Sequence, residues 1–149
     1  MAQAALPALL QEQSIRLDCT ATDRLDAVRQ CGQALVAVGA ADDEYIEAML
    51  QRERSVSTYV GEGVAIPHGT LAGKESVQRD ALVVLRFPEG VDWGGNDVRV
   101  CVGIAAVGGG HIAILSQLAE ILLDPAKAER LRSATDAQQV YALLSPDED

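Results

Sequence analysis

The sequence predicts an α/β fold, a small mixed sheet covered by helices on both faces with the element order β-α-α-β-β-β-α-α-α. Three observations carry that prediction. Residues 81–87 and 98–106 are rich in Val and Ile and apolar at consecutive positions, as strands buried on both faces must be. Amphipathic helical patterns precede and follow these strands, which permits helices on either side of one sheet. At 149 residues and 48% hydrophobic, the chain can fill one core of ordinary size, and no internal repeat or long linker divides it.

Residues 14–19 read as the first strand. Thr22 then opens a helix as N-cap, which runs to Gly39 with Leu25, Val28, Leu35 and Val38 on or near one face. A second helix starts at Asp42, and Tyr45, Ile46, Met49 and Leu50 recur at the spacing of one helical face. Its acidic first turn (Asp42, Asp43, Glu44) and basic last turn (Arg52, Arg54) both suit the macrodipole, and the polar residues 55–58 end it. Val64, Ala65 and Ile66 form the next strand, closed by Pro67 and flanked by turn glycines at 61, 63 and 69. After the two apolar strands the chain is helical: residues 111–123, Pro125 to about Arg132 with Asp124 as cap and proline at the first position, and Ala137–Leu144 capped by Asp136. Residues 1–149 are thus read as a single domain, with 1–10 and 145–149 frayed and the loops 72–79 and 89–97 the most mobile.

Composition removes several function classes. Twelve basic residues among 22 acidic ones give a net charge of −10, which argues against nucleic acid as a partner, because backbone binding needs clustered Lys and Arg. Apolar runs such as 34–38 and 121–123 fall far short of the roughly 20 residues that span a bilayer, so no membrane insertion is expected. The N-terminal MAQAALPALL has neither the basic start nor the long apolar middle of a secretory signal. Cysteines 19, 31 and 101 are odd in number and widely spaced, which fits reduced thiols in a cytoplasmic protein and neither a zinc motif nor a disulfide framework. No cofactor and no metal are expected.

Chemistry concentrates in residues 61–70, GEGVAIPHGT, which deliver one of only two histidines to the end of a short buried strand. His68 on such a strand-to-loop edge is a presented reactive group or, on the plainer reading, a satisfied structural histidine. Arg52, at the end of the preceding helix, can grip a phosphoryl group on His68 with its planar fork, or serve as a solvated helix cap. His111 follows glycines 108–110 and opens an amphipathic run of Ile112, Leu115, Leu118, Ala119 and Leu122. A helix N-terminus there offers unpaired amides to a phosphate, although three glycines are equally consistent with a plain turn. Thr70 and Glu62 are secondary candidates, as a hydroxyl donor and an orienting carboxylate, or ordinary loop residues.

The stretches YIEAMLQRER and STYVGEGVAIPHGT, followed by FPEGVDWG and VGIAAVGGGHIAILSQLAEILL, closely resemble the A domain (EIIA) of the mannitol type in the bacterial phosphoenolpyruvate:sugar phosphotransferase system. The likeness runs from about residue 40 to 123. It implies a three-layer α/β/α sandwich and a phosphoryl-transfer component in which His68, through Nε2, accepts phosphate from the phosphocarrier HPr. The group then passes to the cysteine of a mannitol-type EIIB domain or EIICB permease. By the same resemblance His111 supports the phosphorylated state and Arg52 stabilises the phosphoryl group in transfer. Glycines before His111 depart from the bulkier polar residues usual in the family. A phosphorylation-dependent regulatory domain, nitrogen-system-like or transcription-regulating, is the alternative; a hydrolase using Ser55 or Ser57 lacks the G-x-S-x-G elbow.

Overall fold

A computed structural model describes residues 6–69, 77–107 and 110–144. Its strands are β1 (Ile15–Arg16), β2 (Tyr59–Gly61), β3 (Val64–Ala65), β4 (Ala81–Trp93) and β5 (Asn96–Ala105). Its α-helices are α1 (Arg24–Ala37), α2 (Asp43–Ser55), α3 (Gly110–Leu122), α4 (Pro125–Arg132) and α5 (Ala137–Leu144). The sheet order is β1-β4-β5-β3-β2, with β1 parallel to β4, β4 antiparallel to β5, β3 parallel to β5 and β2 antiparallel to β3. This is the mixed α/β sandwich expected, with one strand more, the short edge strand β2.

Consecutive residues of β4 point to opposite faces, and both faces are dry. Val83, Leu85 and Phe87 join Cys101 of β5 in a core with Val28, Cys31 and Leu35 of α1 and Met49 of α2. Leu82 and Val84 join Val100, Val102 and Ile104 in a second core with Leu118 of α3, Leu131 of α4 and Val140 of α5. Leu6 and Leu10 are buried in that second core, so the expected fraying of residues 1–10 does not hold from Leu6 onward, while 1–5 and 145–149 lie outside the described residues.

Three further differences have local causes. The cap of α1 is Asp23 and not Thr22, because the Asp23 carboxylate accepts the amide of Asp26, while Thr22 N–H donates to the Asp26 side chain. The first strand shrinks to Ile15–Arg16, although Cys19 N–H still reaches the Arg86 carbonyl. Of the expected loop 89–97, all but a two-residue turn is strand: β4 runs through Pro88 with a register shift between Arg86 and Val91, and turns at Gly94–Gly95 into β5. Both turn glycines have positive φ (65° and 97°), as a two-residue hairpin demands. In the other expected loop, 72–76 lie outside the described residues, and Val77 makes an isolated bridge to Ala41.

Candidate functional site

His68 lies on the prolongation of β3. The parallel register Val64↔Val100 and Ala65↔Cys101 continues to an isolated bridge between His68 and Ile104, so the histidine stays in line with the sheet after the strand proper has ended. Proline at 67 removes one donor from this edge but leaves its carbonyl, which accepts Ile104 N–H at 2.9 Å. On the other side Ile66 N–H donates to the Thr58 carbonyl at 3.0 Å. The backbone entering His68 is therefore held from both neighbours.

The ring is oriented by its own backbone. His68 Nδ1 lies 2.8 Å from the Ile66 carbonyl, which can only accept, so Nδ1 carries the proton and the neutral imidazole's lone pair falls on Nε2. The side chain is half-buried at this edge of the sheet.

Sequence periodicity marks Tyr45 only as an apolar position of α2, yet its hydroxyl is part of this site. It accepts Gly69 N–H at 2.8 Å and donates to the Ile104 carbonyl at 2.7 Å. Burial pushes the phenol above its ordinary value of 10.0, with the Gly69 amide pulling the other way, so the hydroxyl stays neutral and able to donate near pH 7. Glycine is needed at 69 because a Cβ there would stand 2.9 Å from Tyr45 Cζ, inside van der Waals contact.

Arg52 sits half-buried in the last turn of α2 and donates from Nη1 to the Val56 carbonyl at 2.6 Å, capping its own helix. His111 is the second residue of α3, after β5 has passed Ile104 and the chain has been tied by Val107 N–H to the Asp80 carboxylate (2.7 Å). Both histidines thus belong to segments that meet β5 at its C-terminal end; Thr70 and the His111 side chain lie outside the described parts of the chain. Glu62 goes elsewhere. With φ of +55° in the β2–β3 turn, it pairs with Arg132 (3.8 Å) at the opposite end of β3, about 20 Å of extended chain from His68. Among the described residues no group of three His, Cys, Asp or Glu side chains could hold a metal ion, and no helix is long and apolar enough to cross a membrane.

Residues 8–146 match the family model for the phosphoenolpyruvate-dependent sugar phosphotransferase system, EIIA 2. The mannitol-specific phosphotransferase enzyme IIA component of Staphylococcus aureus is 40% identical over 132 residues, covering 89% of this chain and 92% of that protein. A multiphosphoryl transfer protein of Escherichia coli O157:H7 is 43% identical over 136 residues, 91% of this chain but only 36% of that protein's length. In structure, the chain is similar to Escherichia coli enzyme IIAMTL, solved in complex with phosphorylated enzyme IIBMTL, at a TM-score of 0.85 and 35% identity over 91% of this chain and 98% of that one. The chain belongs to the EIIA 2 family of the phosphoenolpyruvate-dependent sugar phosphotransferase system.

Proposed function

We propose that this chain is a cytoplasmic, single-domain phosphoryl carrier in which His68 takes a phosphoryl group from phospho-HPr and passes it to the cysteine of a mannitol-type EIIB. The observation that supports the reading is the bond from His68 Nδ1 to the Ile66 carbonyl, which leaves the lone pair of the neutral ring on Nε2, as a nucleophile requires. The Nε2 lone pair attacks the donor's phosphorus in line, the donor's N–P bond breaks, and its electron pair returns to the donor ring. In the second step the EIIB thiolate attacks the same phosphorus, an S–P bond forms, and the pair of the N–P bond returns to Nε2. Charge spreads over the three equatorial oxygens in each step, so the protein's task is positioning and electrostatic stabilisation. With Nη1 on Val56, Arg52 keeps Nε and Nη2 for the phosphoryl oxygens, and the N-terminal turn of α3 with His111 supplies further donors.

Incubation with phosphoenolpyruvate, enzyme I and HPr should add one phosphate, labile in acid and stable in base, as read by intact mass. His68→Ala should abolish it, and normal phosphorylation of that variant would overturn the assignment. The mannitol branch is tested by single-turnover transfer to purified mannitol-type and fructose-type EIIB domains, because identical phosphoryl chemistry leaves only docking to separate them. Equal rates, or transfer to neither, would favour a phosphorylation-dependent regulatory role.

A further inference from the structure

We propose that Tyr45 is a positioning residue for His68: its hydroxyl is wedged into the β3–β5 ladder one rung past the histidine and fixes where the imidazole stands. The inference rests on His68 as phosphoryl acceptor. In a parallel ladder, Ile104 opposite His68 donates to residue 67 and accepts from residue 69. The first rung is made directly, Ile104 N–H to the Pro67 carbonyl at 2.9 Å. Both groups of the second are taken by Tyr45, which accepts Gly69 N–H at 2.8 Å and donates its O–H to the Ile104 carbonyl at 2.7 Å. One O–H is thereby inserted between two backbones that would otherwise close on each other. The residues flanking His68 are both referred to Ile104, one directly and one through a phenol that is 4% exposed and held in the core by its ring.

The wedge has a consequence for chemistry because His68 gets its tautomer from a bond to Ile66, two residues back on the same short segment. Removing the hydroxyl lets Gly69 N–H fall onto Ile104, draws the chain after His68 into the ladder, and changes the angle at which Nδ1 meets the Ile66 carbonyl. A displacement of that order at a nucleophile is worth about 10- to 100-fold in rate.

Tyr45→Phe keeps the packed ring and removes only the oxygen, and Gly69→Ala attacks the wedge from the other side, by driving a methyl against the ring. Two measurements are made on each variant. Imidazole nitrogen shifts of His68 by NMR, which need no phosphoryl donor, should report one tautomer, protonated at Nδ1, in the wild type and a mixture in both variants. Single-turnover phosphorylation by phospho-HPr should slow about 10- to 100-fold at saturating donor with the half-saturating donor concentration unchanged. Unaltered nitrogen shifts and an unaltered saturating rate in both variants, whatever their stability, would overturn the proposal, as would a change confined to donor affinity. A wild type that shows the single tautomer but takes no phosphate would sink the acceptor reading and leave the wedge standing.

Discussion

Glu53, 2% exposed in the last turn of α2, accepts the indole N–H of Trp93 at 3.0 Å and so ties that helix to the far end of β4. The same carboxylate takes the Thr58 hydroxyl at 2.5 Å and the Thr58 amide at 3.3 Å. One buried carboxyl group therefore organises the connection from α2 into β2, and through the Thr58 carbonyl the amide of Ile66, two residues before His68. The Arg24 guanidinium, half-exposed, stands 4.0 Å from this carboxylate, at the outer limit of an ion pair.

Replacing Glu53 by Ala should cost about 3 kcal/mol, because the Trp93 and Thr58 donors remain buried without an acceptor. Gln, which keeps one acceptor oxygen, should cost about half as much. Urea unfolding gives both values, and a cycle with Trp93→Phe should be non-additive by about 1 kcal/mol or more if the two side chains share one interaction. A loss under about 1 kcal/mol for Glu53→Ala would mean that water satisfies these donors.

Arg52→Lys should separate the observed helix cap from the proposed grip on phosphate. Lysine can donate to the Val56 carbonyl and keep a cation at the helix C-terminus, so stability should stay within about 0.5 kcal/mol of wild type. It cannot grip a phosphoryl group with a planar fork, and transfer should slow about 10-fold. Intact transfer with a large stability loss would assign Arg52 to the helix cap alone.

Legibility in the sequence varied with the type of signal. Helix starts punctuated by side-chain chemistry were legible to the residue: α4 with Asp124 accepting the Ala126 amide ahead of Pro125, and α5 with Asp136 accepting from Gln139. Thr22 and Asp23 are adjacent and both can cap, so only the geometry of the Asp26 amide decides between them. Strand β2 is three residues long and owes its existence to β3, hence it has no period of its own. The outer half of β4 was hidden because Pro88 and Gly90 look like breakers, whereas here they sit in an irregular register that a hairpin partner stabilises. The place of His68 at the end of the β3 segment was legible because proline and glycine frame it. Tyr45 and Glu53 were not, because their roles depend on partners 24 to 59 and 40 residues away that only the folded sheet brings near.

Alkali should unfold this protein earlier than its ordinary surface groups would. Burial foremost, then the hydrogen bond with Cys31 and nearby negative charge, holds the Cys101 thiol well above 9.0, and burial raises the Tyr45 phenol above 10.0. Well below pH 9.0 both groups are neutral in folded and unfolded chains, and the stability they contribute is fully present. Above it the unfolded chain releases protons that the folded one retains, so stability falls as pH rises, by at most about 1.4 kcal/mol per pH unit for each group. Urea midpoints from pH 7 to 11 should show this decline, and Cys101→Ala should make it shallower; equal slopes would exclude the thiol as a source.

His111→Ala should leave phosphorylation possible and impair the steps after it. The residue opens α3 just beyond the β5 end against which His68 is paired, and the first amides of that helix lack intrahelical acceptors. A phosphoryl group on Nε2 of His68 brings two negative charges to this end of the sheet, in a chain that already carries a net charge of −10. On the proposed role, a donor at position 111 would matter more to the phosphorylated state than to its formation. Losing one such contact in a partly dry site should slow onward transfer or shorten the lifetime of the phosphohistidine by about 10- to 1,000-fold. Pulse phosphorylation with mass measurement over time, with and without an EIIB acceptor, reads both quantities. Unchanged hydrolysis and unchanged transfer would reduce His111 to a residue of the helix start, and loss of phosphorylation itself would move it into the acceptor step beside His68.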